Sequence, residues 1–160
     1  MSYTFRPADR RDLPMLERWL RTTEVVRWWG DPQEQAALLR EDMDDPRMVM
    51  RIVALAGRPF AYAQDYDVHA WPQPHFAALP AGTRAIDSFI GEPDMIGQGH
   101  GSRYLRLLAQ RLRADGGPVV AIDPDVENLR ARRAYAKAGF RGETVVETGA
   151  GPAVLMLFGA

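Results

Sequence analysis

The chain is 160 residues long, 46% hydrophobic and 26% charged, with a formal net charge of −1 and no cysteine. That size and composition fit one soluble globular domain over residues 1–160, and the near-neutral balance argues against a nucleic-acid partner, whose binding draws on clustered Lys and Arg. The lack of cysteine removes disulfides, thiolate metal sites and any Cys nucleophile, and no stretch approaches the roughly 20 uncharged apolar residues that span a bilayer.

The opening MSYTFRPADRRDLP is charged within its first residues and offers no apolar run of a secretory signal, so a cytoplasmic location is expected. Tyr3 to Arg6 is predicted as a short strand. A helix follows over Asp12 to Arg21, where Leu13, Leu16, Trp19 and Leu20 recur at helical spacing. Glu24 to Trp29 is expected to continue irregularly to Gly30. Gln33 to Asp42 is then predicted helical behind Asp31-Pro32, a capping residue followed by a proline at the first helical position. Arg51 to Leu55 and Phe60 to Val68 read as an antiparallel hairpin around Ala-Gly-Arg-Pro.

The Pro-rich piece from Val68 to Gly82 reads as one long loop. A strand is predicted over Thr83 to Ile90, and after the glycine run a helix over Gly101 to Arg113, with Leu105, Leu108, Ala109 and Leu112 on one face. Val119 to Ile122 is a buried-strand candidate. Val126 to Ala138 reads as a helix stopped by Gly139, and Glu143 to Glu147 with Val154 to Phe158 as a closing strand pair. The order implies a mixed α/β (α+β) fold with a largely antiparallel central sheet flanked by helices. His69, His75 and His100 lack close helical ligand spacing, so no metal site is expected.

Gly97-Gln98-Gly99-His100-Gly101-Ser102 places three glycines in alternate positions where a loop enters a helix. The first amides of a helix have no intrahelical acceptor and the dipole adds about half a positive charge there, so such an end attracts anions. Glycines let the backbone come close to a phosphate. The pattern alone fits either a pyrophosphate cradle or a plain glycine-rich turn. A Walker loop would need a lysine before Ser102, and a dinucleotide fingerprint would need G-x-G-x-x-G near the first strand. Neither fits.

Downstream, AIDPDVENLRARRAYAKAGFRG sets Asn128, Arg132 and Tyr135 three or four residues apart, on one helical stripe. Through the strand ending in Phe89-Ile90, the Gly97–Ser102 loop, and Asn128-x6-Tyr135-x3-Gly139-Phe140, the chain resembles the GNAT superfamily of acetyl-CoA-dependent N-acetyltransferases. More narrowly, the blocks WLRTTEVVRWWGD, AYAQDY, GTRAID, IGQGHGS, DPDVENLRARRAYAKAGF and GPAVLM resemble, in order, segments of aminoglycoside 6′-N-acetyltransferases. The resemblance covers nearly the whole chain. Ile96 stands where the superfamily usually has Arg or Gln, although the narrower group also tolerates an apolar residue there.

The resemblance implies acetyl-CoA as co-substrate. The Gly97, Gln98, Gly99, His100, Gly101 and Ser102 amides would hold its pyrophosphate, and the strand ending at Phe89 and Ile90 would pair with its pantetheine arm, with Asn128 also on the cofactor side. It assigns Tyr135 as proton donor to the departing thiolate. A phenol of reference pKa about 10 can serve a thiol of about 8.5 across a hydrogen bond, though a helical tyrosine can equally be a core aromatic. Asp87 is assigned as a catalytic carboxylate, acting as base, through water, or as an ionic anchor. Trp28, Trp29, Gln64, Tyr66 and Asp123 are assigned to the acceptor cleft, although Gln64 and Tyr66 also share a strand face with Tyr62, and Asp123-Pro124 can be turn chemistry.

The implied activity is acetyl transfer to a primary amine of an aminoglycoside-like substrate, the chemistry of antibiotic resistance, by a monomer or homodimer acting on a small-molecule amine. A polyamine needs carboxylates around its pocket. Here Val68 to Gly82 holds no acidic residue, and Thr148-Gly149-Ala150-Gly151-Pro152 lacks the aspartate that the resembled enzymes carry beside Gly-Pro. Asp65 and Asp67 are candidate replacement anchors, but parity sets them on the face opposite Gln64 and Tyr66. Two alternatives stay open: a GNAT enzyme for another acceptor, such as a siderophore hydroxylamine or a peptide amine, and a non-catalytic acyl-CoA-binding domain.

Overall fold

The computed structural model describes residues 2–159. Its elements are β1 (Tyr3–Pro7), α1 (Leu13–Leu20), α2 (Thr23–Trp29), α3 (Pro32–Met43), β2 (Val49–Leu55), β3 (Arg58–Asp67), β4 (Arg84–Ile90), α4 (His100–Ala114), β5 (Val120–Ile122), α5 (Leu129–Ala138), β6 (Phe140–Thr148) and β7 (Gly151–Phe158). The strands form one sheet in the order β1-β2-β3-β4-β5-β7-β6. β4 and β5 run parallel, whereas β1–β2, β2–β3, β5–β7 and β6–β7 are antiparallel, so the sheet is mixed and largely antiparallel as the pattern implied.

The chain divides into two compact units: residues up to Asp65 together with Asp87–Ile96, and Tyr66–Ile86 together with the residues from Gly97 on. In the first, Leu16, Trp19 and Leu20 of α1 are each at most 1% exposed and pack with Val25, Leu39, Met50, Ile52, Tyr62 and Phe89. The helical spacing of these apolar residues turns one face of α1 inward. Asp31 caps α3 by accepting from the Glu34 amide at 2.9 Å, with Pro32 next. Glu24 to Trp29, expected to continue irregularly, lies in the helix Thr23–Trp29. It is short, and its two tryptophans and Val25 obscure the apolar period, but Gly30 at φ +96° ends it cleanly.

In the second unit α4 buries Tyr104, Leu105, Leu108, Ala109 and Leu112 and packs against α5. α5 begins at Leu129, not at Val126. Asn128 is its cap, accepting from the Ala131 amide at 3.2 Å, while Val126 bonds back to the Pro152 carbonyl at 3.1 Å and is drawn out of the helix. Gly139 closes α5 at φ +114°. β6 and β7 are longer than expected, with a register shift between Arg141 and Thr144 that breaks the sequence alternation. The Pro-rich loop carries a 3-10 turn at Pro74–Phe76, with Phe76 fully buried.

Candidate active site

The first unit supplies Trp28, Trp29, Gln64, Asp87, Phe89 and Ile90. β3 and β4 bring Gln64 and Asp87 together: Gln64 Nε2 donates to Asp87 Oδ2 at 3.0 Å, and the Tyr62 hydroxyl donates to Gln64 Oε1 at 2.7 Å. The amide must turn its NH2 to the carboxylate, which can only accept, and the phenol then satisfies the carbonyl end. Tyr62 is fully buried, and burial, followed by the negative charges of Asp42 and Asp87, pushes its hydroxyl pKa well above its ordinary value. Tyr62 therefore stays a donor. Ser88 Oγ donates to the Tyr62 carbonyl at 2.7 Å, tying the two strands where Asp87 emerges.

Trp29 meets the ring of Phe89 edge-on at 5.0 Å and that of Tyr62 at 6.4 Å. Phe89 is 7% exposed and belongs to the unit's core. Its side chain is thus structural. Trp28 is half-buried, its Nε1 donating to Glu24 at 3.0 Å, with the Arg27 guanidinium 4.8 Å from its ring centre. Asp65, named as a possible anchor, is 1% exposed and ion-paired with Arg51, so it is committed to structure.

The second unit supplies the glycine run, Tyr66, Asp123, Asn128 and Tyr135. Gly97 and Gly99 take φ of +77° and +86°, the left-handed region that glycine enters at little cost. Gly99 is the residue before the fifteen-residue α4, and no side chain caps that end. A Cβ at Gly97 would meet nothing within 4 Å. Exposed backbone, left-handed turns and open space at the start of a long helix fit a diphosphate. Ser102 Oγ folds back to the Gly99 carbonyl at 3.0 Å, and the His100 side chain is buried at 6% exposure, so both side chains turn toward the protein. Tyr135 lies half-buried on α5, its ring 6.4 Å from Phe140. Asn128 Oδ1 is engaged as the helix cap. Tyr66 is 7% exposed and edge-on to Trp71 at 5.8 Å.

Asp123, just past β5, meets a residue that sequence reasoning passed over: His75 Nε2 lies 2.9 Å from its Oδ2. Burial raises the Asp123 carboxyl pKa above its ordinary value, while the hydrogen bond with His75 acts the other way. Asp42, near the end of α3, was also missed, and burial, with Glu41 and Asp45, raises its pKa. Tyr62, His75 and Asp42 lack a local motif. The nearest signal was Tyr62 at the same strand parity as Gln64. Among the described residues no cluster of His, Asp or Glu is arranged to hold a metal ion.

The acetyltransferase (GNAT) domain family matches residues 9–148. The chain belongs to the GNAT acetyltransferase family. It is 34% identical to the aminoglycoside N(6′)-acetyltransferase type 1 of Klebsiella pneumoniae, over 98% of this chain and 82% of that one. Among solved structures, AAC(6′)-Ib in complex with paromomycin and acetyl-CoA matches with a TM-score of 0.87 at 34% identity, covering 99% of this chain and 93% of that one. The same enzyme with coenzyme A and kanamycin matches with a TM-score of 0.85 at 34% identity, covering 98% and 94%. No helix among the described residues is long and apolar enough to cross a membrane.

Proposed function

We propose that residues 1–160 act as one cytoplasmic N-acetyltransferase domain that moves an acetyl group from acetyl-CoA to a primary amine of an aminoglycoside. The likeness to aminoglycoside N(6′)-acetyltransferases along 98% of the chain carries this reading. The family match, running through both units, supports a single domain. Acetyl-CoA supplies an activated acetyl thioester. The amine nitrogen forms a bond to the acetyl carbon, the carbon–sulfur bond breaks, and no covalent enzyme intermediate is needed.

The amides from Gly97 to Ser102 bind the diphosphate through the helix end, with Asn128 fixing the start of α5 on the cofactor side. The backbone at Phe89 and Ile90 orients the pantetheine arm. Tyr135 gives its phenolic proton to the sulfur as it leaves. Asp87, held by Gln64, attracts the acceptor ammonium and takes up its proton directly or through water. Trp28, Trp29, Gln64, Tyr66 and Asp123 bound the acceptor cleft, and Asp42, close enough to act on the Tyr62 hydroxyl, adds negative charge that the loop at 68–82 lacks.

Thiol release from acetyl-CoA, measured with kanamycin-type amines at saturation, tests the acceptor. Absence of both thiol release and a drug-induced rise in melting temperature would remove the aminoglycoside assignment. The missing acidic residues in Val68–Gly82 and Thr148–Pro152 favour one second reading, a siderophore hydroxylamine or peptide amine as acceptor, which the same assay would reveal by turnover with those compounds.

A further inference from the structure

The Pro-rich loop, which carries no acid, delivers a histidine to Asp123. Pro74 opens the 3-10 turn and Phe76, fully buried, pins its end, so His75 between them is held in place. Its side chain is 2% exposed, and its ring lies 3.9 Å from that of Phe76. Nε2 bonds Asp123 Oδ2 at 2.9 Å, whereas the buried Nδ1 has no hydrogen-bond partner among the described residues. The Asp123 side chain keeps 18% exposure. The carboxylate can therefore meet a ligand and the imidazole cannot.

We propose that His75 is a positioning residue of the acceptor site: as the neutral Nε2–H imidazole it clamps one oxygen of Asp123 and leaves the other for an ammonium group of the amine substrate. The proposal rests on the reading of Asp123 as a substrate anchor. The tautomer follows from the bare Nδ1. An imidazolium would leave a buried N–H donor without an acceptor, which is costly, while an unused lone pair in the neutral ring costs less. The neutral ring also preserves the full negative charge of the pair, which an imidazolium would cancel. Burial works against the Asp123 carboxylate, and the His75 hydrogen bond opposes that penalty.

β5 and β7 carry no titratable side chain. β6, which packs on the His75 turn, carries Arg141, Glu143 and Glu147, all exposed, and Asp125 is engaged in its own turn with the Glu127 amide.

The test uses the full chain with His75→Leu, which fills similar space without a donor, and His75→Gln, whose amide can place an N–H near the Nε2 position. In His75→Leu the KM for the aminoglycoside should rise roughly tenfold, with the KM for acetyl-CoA changing less than about twofold. The acid limb of its kcat/KM profile should move to higher pH. His75→Gln should restore most of both. Ring-nitrogen NMR of the unsubstituted protein, which needs no substrate, should show the Nε2–H tautomer. A ring protonated at Nδ1, an unchanged amine KM in His75→Leu, or equal losses in both variants with an unmoved pH limb would overturn the proposal. If the unsubstituted protein turns over no amine, the acceptor assignment fails instead, and the tautomer alone decides whether the clamp exists.

Discussion

Replacing Gly91 by alanine tests how the end of β4 is anchored. A Cβ at this position would stand 2.1 Å from Trp19 Cγ, 2.2 Å from Cδ2 and 2.7 Å from Cβ. Trp19 has nowhere to go: it is 1% exposed, edge-on to Phe89 at 6.3 Å, and its Nε1 donates to Glu92 Oε2 at 2.8 Å. The Gly91 backbone is also held, its amide donating to the Phe60 carbonyl at 2.8 Å. Overpacking a filled core costs about 1–3 kcal/mol. Losing the indole hydrogen bond to a carboxylate adds roughly 1.5–3 kcal/mol. A total of about 2.5–6 kcal/mol in a chain of this length lowers the melting temperature by roughly 5–24 °C. Thermal unfolding followed by far-UV circular dichroism reads the shift directly, and tryptophan fluorescence reports Trp19 itself. A melting temperature within about 2 °C of the parent would refute the close approach on which this estimate rests.

Gly97→Ala meets no atom within 4 Å but is forced to hold φ at +77°, so stability should fall by only about 1–2 kcal/mol while the KM for acetyl-CoA rises several-fold, as measured by initial rates. Tyr135→Phe should lower kcat by about 10²-fold or more with both KM values nearly unchanged, as read by thiol release, and an unaltered kcat would dismiss Tyr135 as the proton donor. Arg6 donates to both oxygens of Asp12 at 2.9 and 2.7 Å, and this pairing holds the Asp12 carboxyl pKa below its ordinary value despite burial. Because the folded state then binds the proton less readily than the unfolded state, the pair stabilises fully above the unfolded value of about 3.9 and fades as pH falls through the lowered folded value. Urea midpoints of the parent and Asp12→Asn should therefore differ by a constant amount above about pH 5 and converge in stronger acid.

Local chemistry was legible in the residues themselves. The cap at Asp31-Pro32, the apolar faces of α1 and α4, the stop at Gly139 and the loop-to-helix glycines each act within a few positions of chain, so spacing alone exposes them. The blocks around Gly97–Ser102 and Asn128–Phe140 carried the family assignment for the same reason. Four features depended on tertiary structure. Val126 left the expected helix because the Pro152 carbonyl, 26 residues away, took its amide. Asp65 was withdrawn from any binding role by Arg51 on the neighbouring strand. Tyr62, Gln64 and Asp87 became a chain of hydrogen bonds, and His75 reached Asp123 across 48 positions, because folding alone fixes which polar groups lose water together and must satisfy one another. The sequence by itself thus determined most of the elements, the family and the glycine turns at the start of α4, while the partners of Asp87 and Asp123 were decided by long-range burial, which no local pattern records.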